Sequence, residues 1–577
     1  MTVAPPDEPS RPPEDELAPA EQHADPAAGT AIDIVDEPVN GPADTSDTGD
    51  GTPRSASLTP FERVIPTWTD PTVRRAGDAI GGPMGRHALV GRGLVLTPLR
   101  VCLLMAIVAL ICGWMFKAAC IQQGPNGAGG VSLDQAGERP WITACYTDAV
   151  PLFGSHGLDT GAVPYATSWQ DNGETRYMEY PVVTGYWMWA IAEISRGYRN
   201  VAQSTGVVPV PLDVAAYFTI GAIFLGLMYL WAVASTAKIA RRRIWDTAIM
   251  CLSPLLIVHA LTNWDLLAIG ITAGAMLAWA RKKPILAGAL LGLGAAAKLY
   301  PVLLLGPLLV LCLRAGKMAA WTRMAIAAAV VWLVINLPVF LLYPAGWYEF
   351  IRLNSERPPE YDSWYFIVAT LSRSTIWDKT PGTDTPTFLN GLSLVLFLLA
   401  CLAIGWFGLS VRRRPRFAQL AFLIIAAFLL TNKVWSPQYS LWLLPLAVLA
   451  LPRWRPLLFW QASEVIVWVL LMLSFAGVSN KGLSIYPFIN AALIRDAMLL
   501  MLISLVVWDV LRPGGDLVRM AGDDDPSGGV LEDAADRFTV PSLPAFWTRL
   551  RARRNERSRT EVAVGAGSEP EPDAQPV

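Results

Sequence analysis

Long apolar runs recur along this chain, and short clusters of Lys and Arg separate them. A helix needs roughly 20 apolar residues to cross a bilayer, or fewer where neighbouring helices bury it. Hydrophobic residues make up 53% of the 577 residues and charged residues 16%, a balance typical of a membrane protein with many spans rather than of a soluble enzyme. The sequence therefore predicts an all-α polytopic membrane protein.

Twelve segments are apolar enough to be predicted as spans. They cover about 98–117, 213–236, 245–261, 265–281, 284–298, 300–314, 324–343, 390–411, 417–431, 440–452, 457–477 and 490–511. Clustered positive charge lies in the loops at 74–100, 241–243, 281–283, 314–323, 412–416 and 453–455. With twelve spans these loops fall on one side in strict alternation. The positive-inside rule then places these loops and both termini on the cytoplasmic side of the plasma membrane.

Residues 181–194 are also apolar enough to cross the membrane. A thirteenth crossing would move loop 241–243 to the outside and invert every later span, so we interpret this segment as an interfacial or re-entrant helix. The segments 284–298 and 300–314 are short for full crossings. They are predicted to form a tight helical hairpin whose apex lies inside protein or a wet cavity.

The two ends of the chain differ from the transmembrane domain predicted over residues 71–511. Residues 1–50 hold thirteen Asp and Glu against one Arg and are rich in Pro, so residues 1–70 are predicted to be a disordered acidic cytoplasmic tail. The apolar run that begins near Leu94 is then an uncleaved anchor. Residues 512–577 mix acidic and basic patches and are predicted to be a mostly disordered cytoplasmic tail, whose Arg cluster can lie on anionic lipid. The net charge of −2 gives no basic field that would indicate nucleic acid as a partner.

Two long outer loops, about 118–212 and 344–389, are predicted between the spans. Cys120 and Cys145 both lie in the first of them, whereas the other five cysteines fall in predicted spans. In an oxidising exterior these two thiols can form a disulfide that would brace the loop. The sequence gives no separation between their Cα atoms, so two free thiols remain the alternative.

Asp148 lies in the first outer loop and is the one acidic residue of the stretch CYTDAVPLF. Desolvation by the surrounding aromatic residues would raise the pKa of its carboxyl group and suit it to act as a general base. The alternative is a solvated loop acid or a helix cap. Asp148 taken alone does not decide between these interpretations.

Asn263 and Asp265 lie at the boundary of a predicted span. Asn263 could cap the helix that starts at Asp265, with the acid near the positive end of the helix dipole, or both could line a functional cavity. His259 lies one turn earlier, but two ligands without a third are a weak signal for metal. A buried core histidine is the preferred interpretation, and no metal site is predicted.

Lys298 ends the small-residue run AGALLGLGAAAK at a predicted outer apex, and Lys433 lies at another. Such a lysine either snorkels to the membrane interface or binds a phosphate group at the outer leaflet. Arg357 adds positive charge to the second outer loop, against the general charge bias, which favours a bound anion there. These three cations are the candidate phosphate ligands.

Four stretches carry a family resemblance: CYTDAVPLF (145–153), EYPVVTG (179–185), the segment NWDLLAIGITAGAMLAWARKKPILAGALLGLGAAAKLYPVLLL (263–305) and NKVWSPQYSLWLLPL (432–446). Together they resemble glycosyltransferase family 87, the GT-C-fold enzymes of actinobacteria that use polyprenyl-phosphate sugars. The likeness covers roughly residues 95–511, and its most specific parts are the K-x-Y-P apex and the S-P-Q-Y motif. Val182 stands where the family has a second Pro. The style of the tails and of the first outer loop resembles a mycobacterial-type member.

The resemblance implies a GT-C-type fold and inverting transfer of a sugar, commonly mannose, on the outer face of the membrane. The donor would be a polyprenyl-phosphate carrier, and the acceptor a glycolipid or polysaccharide of the cell envelope. An acid of the first outer loop is the family's catalytic base, and Asp148 matches it. The candidate substrate-binding residues are Glu179, Tyr180, Asn263, Asp265, Tyr300, Trp435, Gln438 and Tyr439. No cofactor is required, because a phosphate leaving group is stable when it is paired with a lysine, and a divalent cation is not predicted.

Two rival functions remain open at this point. Twelve spans with intramembrane charge are also typical of a transporter or lipid flippase, although the chain shows no convincing internal repeat of the kind that transporters have. A scaffold for cell-envelope assembly without catalytic activity would fit if Asp148 were dispensable. Membrane lipid is a partner under all three interpretations.

Overall fold

The computed structural model describes four stretches of the chain, residues 97–127, 129–171, 173–380 and 385–541. All of them belong to one unit of the chain, Val64–Val577. The predicted N-terminal tail, residues 1–70, lies outside the described residues, as do residues 542–577.

Helices make up most of the described residues. In chain order the α-helices are α1 (Pro98–Ala118), α2 (Arg139–Ile142), α3 (Ala149–Ser155), α4 (Val182–Thr205), α5 (Asp213–Ala240), α6 (Ala248–Cys251), α7 (Pro254–His259), α8 (Asp265–Ala280), α9 (Pro284–Ala297), α10 (Leu305–Ala315), α11 (Met318–Leu342), α12 (Pro344–Glu356), α13 (Trp364–Ser372), α14 (Thr387–Ser410), α15 (Phe417–Thr431), α16 (Ser440–Ala450), α17 (Trp454–Ala476), α18 (Ile485–Leu511) and α19 (Leu517–Met520). Short 3-10 helices cover Ala119–Ile121, Ala136–Glu138, Arg241–Thr247, Tyr300–Leu304, Pro437–Tyr439, Val478–Asn480, Pro513–Gly515 and Gly529–Leu531. Two antiparallel hairpins pair β1 (Gln123–Pro125) with β2 (Val131–Leu133) and β3 (Trp169–Asp171) with β4 (Glu174–Arg176).

Six of the described helices are long and apolar enough to cross a membrane, judged by length and composition. They are Pro98–Ile121, Asp213–Cys251, Met318–Leu342, Thr387–Ser410, Trp454–Ala476 and Ile485–Leu511. This agrees with the predicted all-α membrane protein. The count of twelve crossings stays a prediction.

The other six predicted spans correspond to helices that are shorter than these six or are interrupted. Five of them correspond to the apolar helices Asp265–Ala280, Pro284–Ala297, Tyr300–Ala315, Phe417–Thr431 and Pro437–Ala450. The sixth, predicted at 245–261, is not one continuous helix, because α6 ends at Cys251 and α7 begins at Pro254. Proline lacks the N–H group that a continuous helix needs, and it biases the preceding residue, Ser253, to the extended conformation seen here.

Small residues allow the central helices to pack closely. Gly288 and Gly292 of α9 lie against α11, where an added Cβ atom would overlap the carbonyl groups of Met324 and Ala328. This spacing of small residues is typical of helix pairs in membranes, where close backbone contact supplies van der Waals attraction. The packing holds α9, and with it the turn that begins at Lys298.

Residues 181–194, which we interpret as interfacial or re-entrant, form the first part of helix α4. The helix continues to Thr205 and ends at Gly206, whose φ of 64° suits a glycine. Among the described helices, α4 is not one of the six that are long and apolar enough to span a membrane. The Thr184 hydroxyl donates to the carbonyl oxygen of Ala297 at 2.6 Å, so the start of α4 lies beside the end of α9.

Residues 512–541 differ from the disorder expected of the C-terminal tail. The buried carboxylate of Asp516 accepts hydrogen bonds from Arg416 Nε at 2.8 Å and Nη2 at 3.0 Å. Asp536 accepts from Arg314 Nη2 at 2.7 Å and from Arg414 Nη1 at 2.9 Å. The acidic residues of this segment are therefore partners of buried arginines, which is why it is ordered despite its polar composition.

The same C-terminal segment brings the predicted cytoplasmic loops together. Its residues and the adjoining end of α18 contact Arg241, Arg314, Arg413, Arg414, Arg416 and Arg453. These arginines come from four of the positively charged loops. The four loops thus lie near one another, around the C-terminal segment.

Candidate functional site

The stretch that contains Asp148 is attached to helix α1 by two contacts. A disulfide joins Cys145 to Cys120, with 5.6 Å between the Cα atoms. The ammonium group of Lys117, buried in the last turn of α1, donates to the carbonyl oxygen of Tyr146 at 2.7 Å. Together these contacts hold the backbone immediately before Asp148.

The backbone of Asp148 also lies against the turn that precedes α8. The Asp148 N–H donates to the carbonyl oxygen of Thr262 at 2.9 Å, and the Thr147 hydroxyl donates to that of Leu261 at 2.7 Å. Asp148 is followed at once by the short helix α3. The first long loop and the Asn263 turn, far apart in sequence, are therefore neighbours in the fold.

Asn263 connects the acid to the candidate phosphate ligand. Its amide Nδ2 donates to Asp148 Oδ2 at 2.6 Å and to the Tyr180 hydroxyl at 3.1 Å. Its Oδ1 accepts from the Trp264 N–H at 2.6 Å and lies 3.4 Å from Lys298 Nζ. Both ends of the amide are used, so its orientation is determined by its partners. The residue before α8 is Trp264, and the side chain of Asn263 does not cap the helix.

Lys298 forms an ion pair with Asp265. Its Nζ lies 3.3 Å from Asp265 Oδ1, and the same oxygen accepts a 2.8 Å hydrogen bond from the indole N–H of Trp442. Asp265 begins α8 and Lys298 follows the last residue of α9, so both lie at the ends of these helices remote from the connecting residues 281–283. The side chain of Lys298 is 13% exposed. An ion pair so shielded from water is screened little by salt.

Aromatic rings surround this ion pair. The ammonium group of Lys298 lies 5.7 Å from the ring centre of Tyr180 and 5.3 Å from that of Tyr439. Trp442 stacks on Tyr439 at 4.1 Å and on Tyr300 at 4.4 Å between ring centres. Tyr300 thus contributes through Trp442 rather than through a contact with Lys298. The rings supply both cation–π attraction and flat apolar surfaces.

The carboxyl group of Asp148 has a raised pKa. Burial raises it, while hydrogen bonds from Asn263 and Tyr146 and the charge of Lys298 lower it, and the balance stays above the ordinary value. A carboxylate with a raised pKa is a stronger proton acceptor than one in water. The environment of Asp148 therefore suits the predicted general base.

Glu179 is the second carboxylate of this region. It precedes Tyr180, and its Oε2 lies 3.5 Å from His156 Nε2. Burial alone would raise the pKa of Glu179, but the hydrogen bond and charge of His156, together with Arg357 and Arg176, hold it below its ordinary value. The two carboxyl groups of the site thus have opposite pKa shifts, a pattern found where two acids have different tasks.

Lys433 and Arg357 lie in adjoining loops. Lys433 Nζ donates to the carbonyl oxygens of Arg357 at 2.7 Å and Ser355 at 3.3 Å. Burial, together with the charge of Arg357, lowers the pKa of Lys433 to about 8. Burial lowers the pKa of Arg357, but Glu360 and Tyr439 raise it above its ordinary value. Two of the three N–H groups of Lys433 are therefore used to hold the neighbouring loop.

Trp435 contacts a separate group of buried charges. The Arg495 guanidinium lies 3.6 Å from the centre of its ring. Arg495 in turn pairs with Asp496 at 2.8 Å and with Glu464 at 3.5 Å. Gln438 is buried one residue before Tyr439. Trp435 is thus a predicted substrate residue that the fold directs towards Arg495.

His259 has the surroundings of a core residue. It is buried, and its ring meets that of Trp468 edge to face at 5.0 Å. Within residues 97–541, apart from the gaps, no group of three or more His, Cys, Asp or Glu side chains could hold a metal ion. The interpretation of His259 as a buried histidine agrees with this geometry.

An apolar cavity of about 520 Å³ lies between α4 and the second half of α11. It is lined by Val182, Val183, Tyr186, Trp187, Ile335, Pro338, Val339, Leu342 and Tyr343. Val182 follows Tyr180 by two residues, and the Thr184 hydroxyl donates a hydrogen bond to the carbonyl oxygen of Ala297, the residue before Lys298. The cavity therefore lies beside the Lys298 end of the site.

Three residues of the site are missing from the sequence prediction. Tyr146 hydrogen-bonds Asp148, His156 pairs with Glu179, and Trp442 bonds Asp265. Trp442 follows Tyr439 by about one helical turn, which could have indicated a shared face. His156 carries no such signal, because the whole of α3 separates it from Asp148.

Comparison with known proteins finds a family match for the central part of the chain. No curated protein matches the chain. The model of glycosyltransferase family 87 matches residues 204–437, a range that includes Asn263, Asp265, Lys298 and Lys433. The match confirms the resemblance to this family. Together with the long apolar helices it indicates a membrane glycosyltransferase.

Proposed function

We propose that this chain, whose central part matches glycosyltransferase family 87, transfers a sugar from a polyprenyl-phosphate carrier to a glycolipid or polysaccharide of the cell envelope. Mannose is the first candidate for the sugar, and the reaction lies on the outer face of the plasma membrane. The observation that carries the proposal is the Asn263 side chain, which joins Asp148 to Lys298. A proton acceptor and a cation are thereby held on either side of one amide.

In the proposed reaction Asp148 takes the proton from an acceptor hydroxyl group. The acceptor oxygen attacks the anomeric carbon of the donor sugar while the bond from that carbon to the phosphate oxygen breaks. The electron pair leaves with the phosphate, whose negative charge is stabilised by Lys298 with help from Arg357. Attack opposite the leaving group inverts the anomeric configuration.

Asp265 and Asn263 prepare Lys298 for this task. The ion pair keeps the ammonium group charged and oriented inside a shielded site, where its attraction for a phosphate is stronger than in water. Lys433 supports the loop that carries Arg357 through its bonds to the backbone. Tyr180 and Tyr439, beside Lys298, offer flat faces for the sugar.

Two further features support a lipid-linked donor at an outer site. The apolar cavity between α4 and α11 has the lining expected of a site for a hydrocarbon chain, and it lies beside Lys298. The Cys120–Cys145 disulfide is typical of a segment exposed to an oxidising compartment. Both features favour a carrier that enters from the membrane with its phosphate at the outer surface.

The experiment is sugar transfer by the purified protein in proteoliposomes. Radiolabelled polyprenyl-phosphomannose is supplied with a lipid extract of cell envelope, and products are separated by thin-layer chromatography. We expect label in a new glycolipid, and empty liposomes are the control. Movement of the carrier across the bilayer without transfer would support a flippase, and neither activity would support a scaffold.

A further inference from the structure

Glu179 precedes Tyr180 in the chain, and His156 contacts both residues. His156 is the residue that follows α3, and Asp148 is the residue that precedes it, so one helix of seven residues separates the two. Tyr180 contacts Asn263 through its hydroxyl group and the His156 ring edge to face at 6.3 Å. The C-terminal end of α3 therefore meets Glu179 and Tyr180 directly, and its N-terminal end is linked to Tyr180 through Asn263.

The His156 ring is held by its surroundings in a defined position. The residue is buried, and its ring centre lies 5.0 Å from that of Trp169. Its Nδ1 is buried and has no hydrogen-bond partner among the described residues. Within the described part of the chain, the polar contact of this ring is thus the one from Nε2 to Glu179.

Glu179 remains open to a ligand. Its side chain is 27% exposed, whereas that of His156 is 1% exposed. Trp169, whose ring packs against that of His156, lies on hairpin β3–β4, directly opposite Arg176. Arg176 attaches this hairpin to α12 through Glu349 and Glu356, each at 3.4 Å. A partly exposed carboxylate and a partly exposed indole ring that contact the same histidine are a combination suited to a sugar. The acid accepts hydroxyl hydrogens and the ring covers C–H groups.

The charge of Glu179 indicates whether the sugar bound there belongs to the donor or to the acceptor. A carboxylate kept ionised repels the phosphate of the donor, which needs Lys298. It attracts neutral hydroxyl groups, whose hydrogen bonds to a charged acceptor are stronger than those between neutral groups. The acceptor hydroxyl must also approach Asp148, at the other end of α3.

We infer that Glu179 and Trp169 bind the hydroxyl groups and ring face of the acceptor sugar, and that His156 is a positioning residue which orients Glu179. The acceptor is accordingly a polyhydroxylated, uncharged sugar residue. This inference rests on the proposed function and adds the acceptor subsite to it.

The test measures donor and acceptor separately in the purified protein. Octyl mannoside is the acceptor probe and polyprenyl-phosphomannose the donor. For Glu179→Gln we expect the KM of octyl mannoside to rise about tenfold or more, with the donor KM within about twofold of the wild type. Glu193→Gln on α4, which removes a surface ion pair with Arg196, is the matched control. A donor KM that rises as much as the acceptor KM would overturn the inference.

His156 is tested by combination. His156→Ala should raise the acceptor KM as Glu179→Gln does, and the double variant should lose no more than either alone. His156→Gln keeps an N–H donor and should restore part of the acceptor affinity, which a change in folding alone would not explain. Losses that multiply in the double variant would show that His156 acts independently of Glu179.

Binding of octyl mannoside without donor separates this inference from the proposed function. Saturation-transfer NMR should detect the probe on the wild type and lose the signal in Glu179→Gln. If the protein binds octyl mannoside through Glu179 but transfers no sugar, the acceptor subsite is supported and the proposed glycosyltransferase function is rejected. If sugar transfer and octyl mannoside binding are both unaffected by Glu179→Gln, the proposed function stands and the acceptor subsite is rejected. A wild type that neither binds nor transfers would reject both.

Discussion

Asn263 donates a 2.6 Å hydrogen bond to Asp148, although 115 residues separate them in the sequence. The orientation of the carboxylate therefore depends on the turn between α7 and α8 as well as on its own loop. Because the other end of the amide lies near Lys298, a change at Asn263 affects the acid and the cation together. This relationship makes the proposed mechanism testable at single residues.

The first prediction concerns Asp148 itself. Asp148→Asn keeps the size of the side chain and removes the proton acceptor, so sugar transfer should fall by about 100-fold or more. The melting temperature should change little, since a half-buried acid with a raised pKa is replaced by a neutral amide. Transfer of labelled mannose and thermal unfolding in detergent measure the two effects.

Asp159→Asn is the matched control for this change, because Asp159 is an exposed acid of the same loop. It should transfer sugar at the wild-type rate. Full transfer activity of Asp148→Asn would remove Asp148 from the mechanism and mean that another group accepts the proton.

The second prediction is a pH shift in Asn263→Ala. Asp148 must be ionised to accept a proton, so activity falls as the pH drops through its pKa. The hydrogen bond from Asn263 lowers that pKa against the effect of burial. Its removal should raise the pKa further and move the acidic limb of the kcat/KM profile to higher pH.

Profiles over about pH 5 to 9 would show this displacement. Asn200→Ala, at an exposed position on α4, should leave the acidic limb in place. Glu179→Gln should shift the acidic limb in the opposite direction. The charge of Glu179 raises the pKa of Asp148, so its loss moves the limb to lower pH. An unchanged limb in Asn263→Ala would mean that another group accepts the proton.

Much of the arrangement around Lys298 could be predicted from the sequence. The sequence puts Lys298 at the apex of a predicted hairpin of 284–298 with 300–314, and Asp265 at a span boundary on the same outer face. The ion pair between them is a contact that the sequence does not predict. Asp148 was placed with them by topology and by resemblance. What these patterns do not contain is the amide bridge of Asn263, because side-chain contacts across 115 residues leave no local periodicity.

The errors have physical reasons of their own. Hydropathy treats residues 245–261 as one span because it does not register that Pro254 interrupts the helix. Composition assigns residues 512–541 to a disordered tail because it counts acidic residues as solvated. In the fold Asp516 is fully buried against Arg416, a pairing that composition cannot show.

The third prediction separates the two lysines that were proposed to bind phosphate. Lys298→Gln removes the charge but keeps an N–H donor for Asp265, so the donor KM should rise about tenfold or more while the acceptor KM changes little. Lys433→Gln removes a donor to the backbone of Ser355 and Arg357. Its main effect should be a lower melting temperature.

Initial rates over a range of donor concentrations, with unfolding curves for both variants, make this comparison. The two residues act as matched controls for one another, since each change removes one buried ammonium group. A larger donor effect in Lys433→Gln than in Lys298→Gln would reverse the assignment and place the phosphate near Arg357.

The fourth prediction concerns the C-terminal segment. Asp516→Ala leaves the Arg416 guanidinium buried without its carboxylate, and removing one partner of such a pair costs about 3–5 kcal/mol. Thermal unfolding in detergent should therefore show a clear loss of stability. Asp533→Asn, an exposed acid of the same segment, should unfold like the wild type. Adding Arg416→Met to Asp516→Ala should recover part of the loss, because the uncompensated charge is gone. A melting temperature of Asp516→Ala equal to that of the wild type would show that residues 512–541 do not contribute to the stability of the helical bundle.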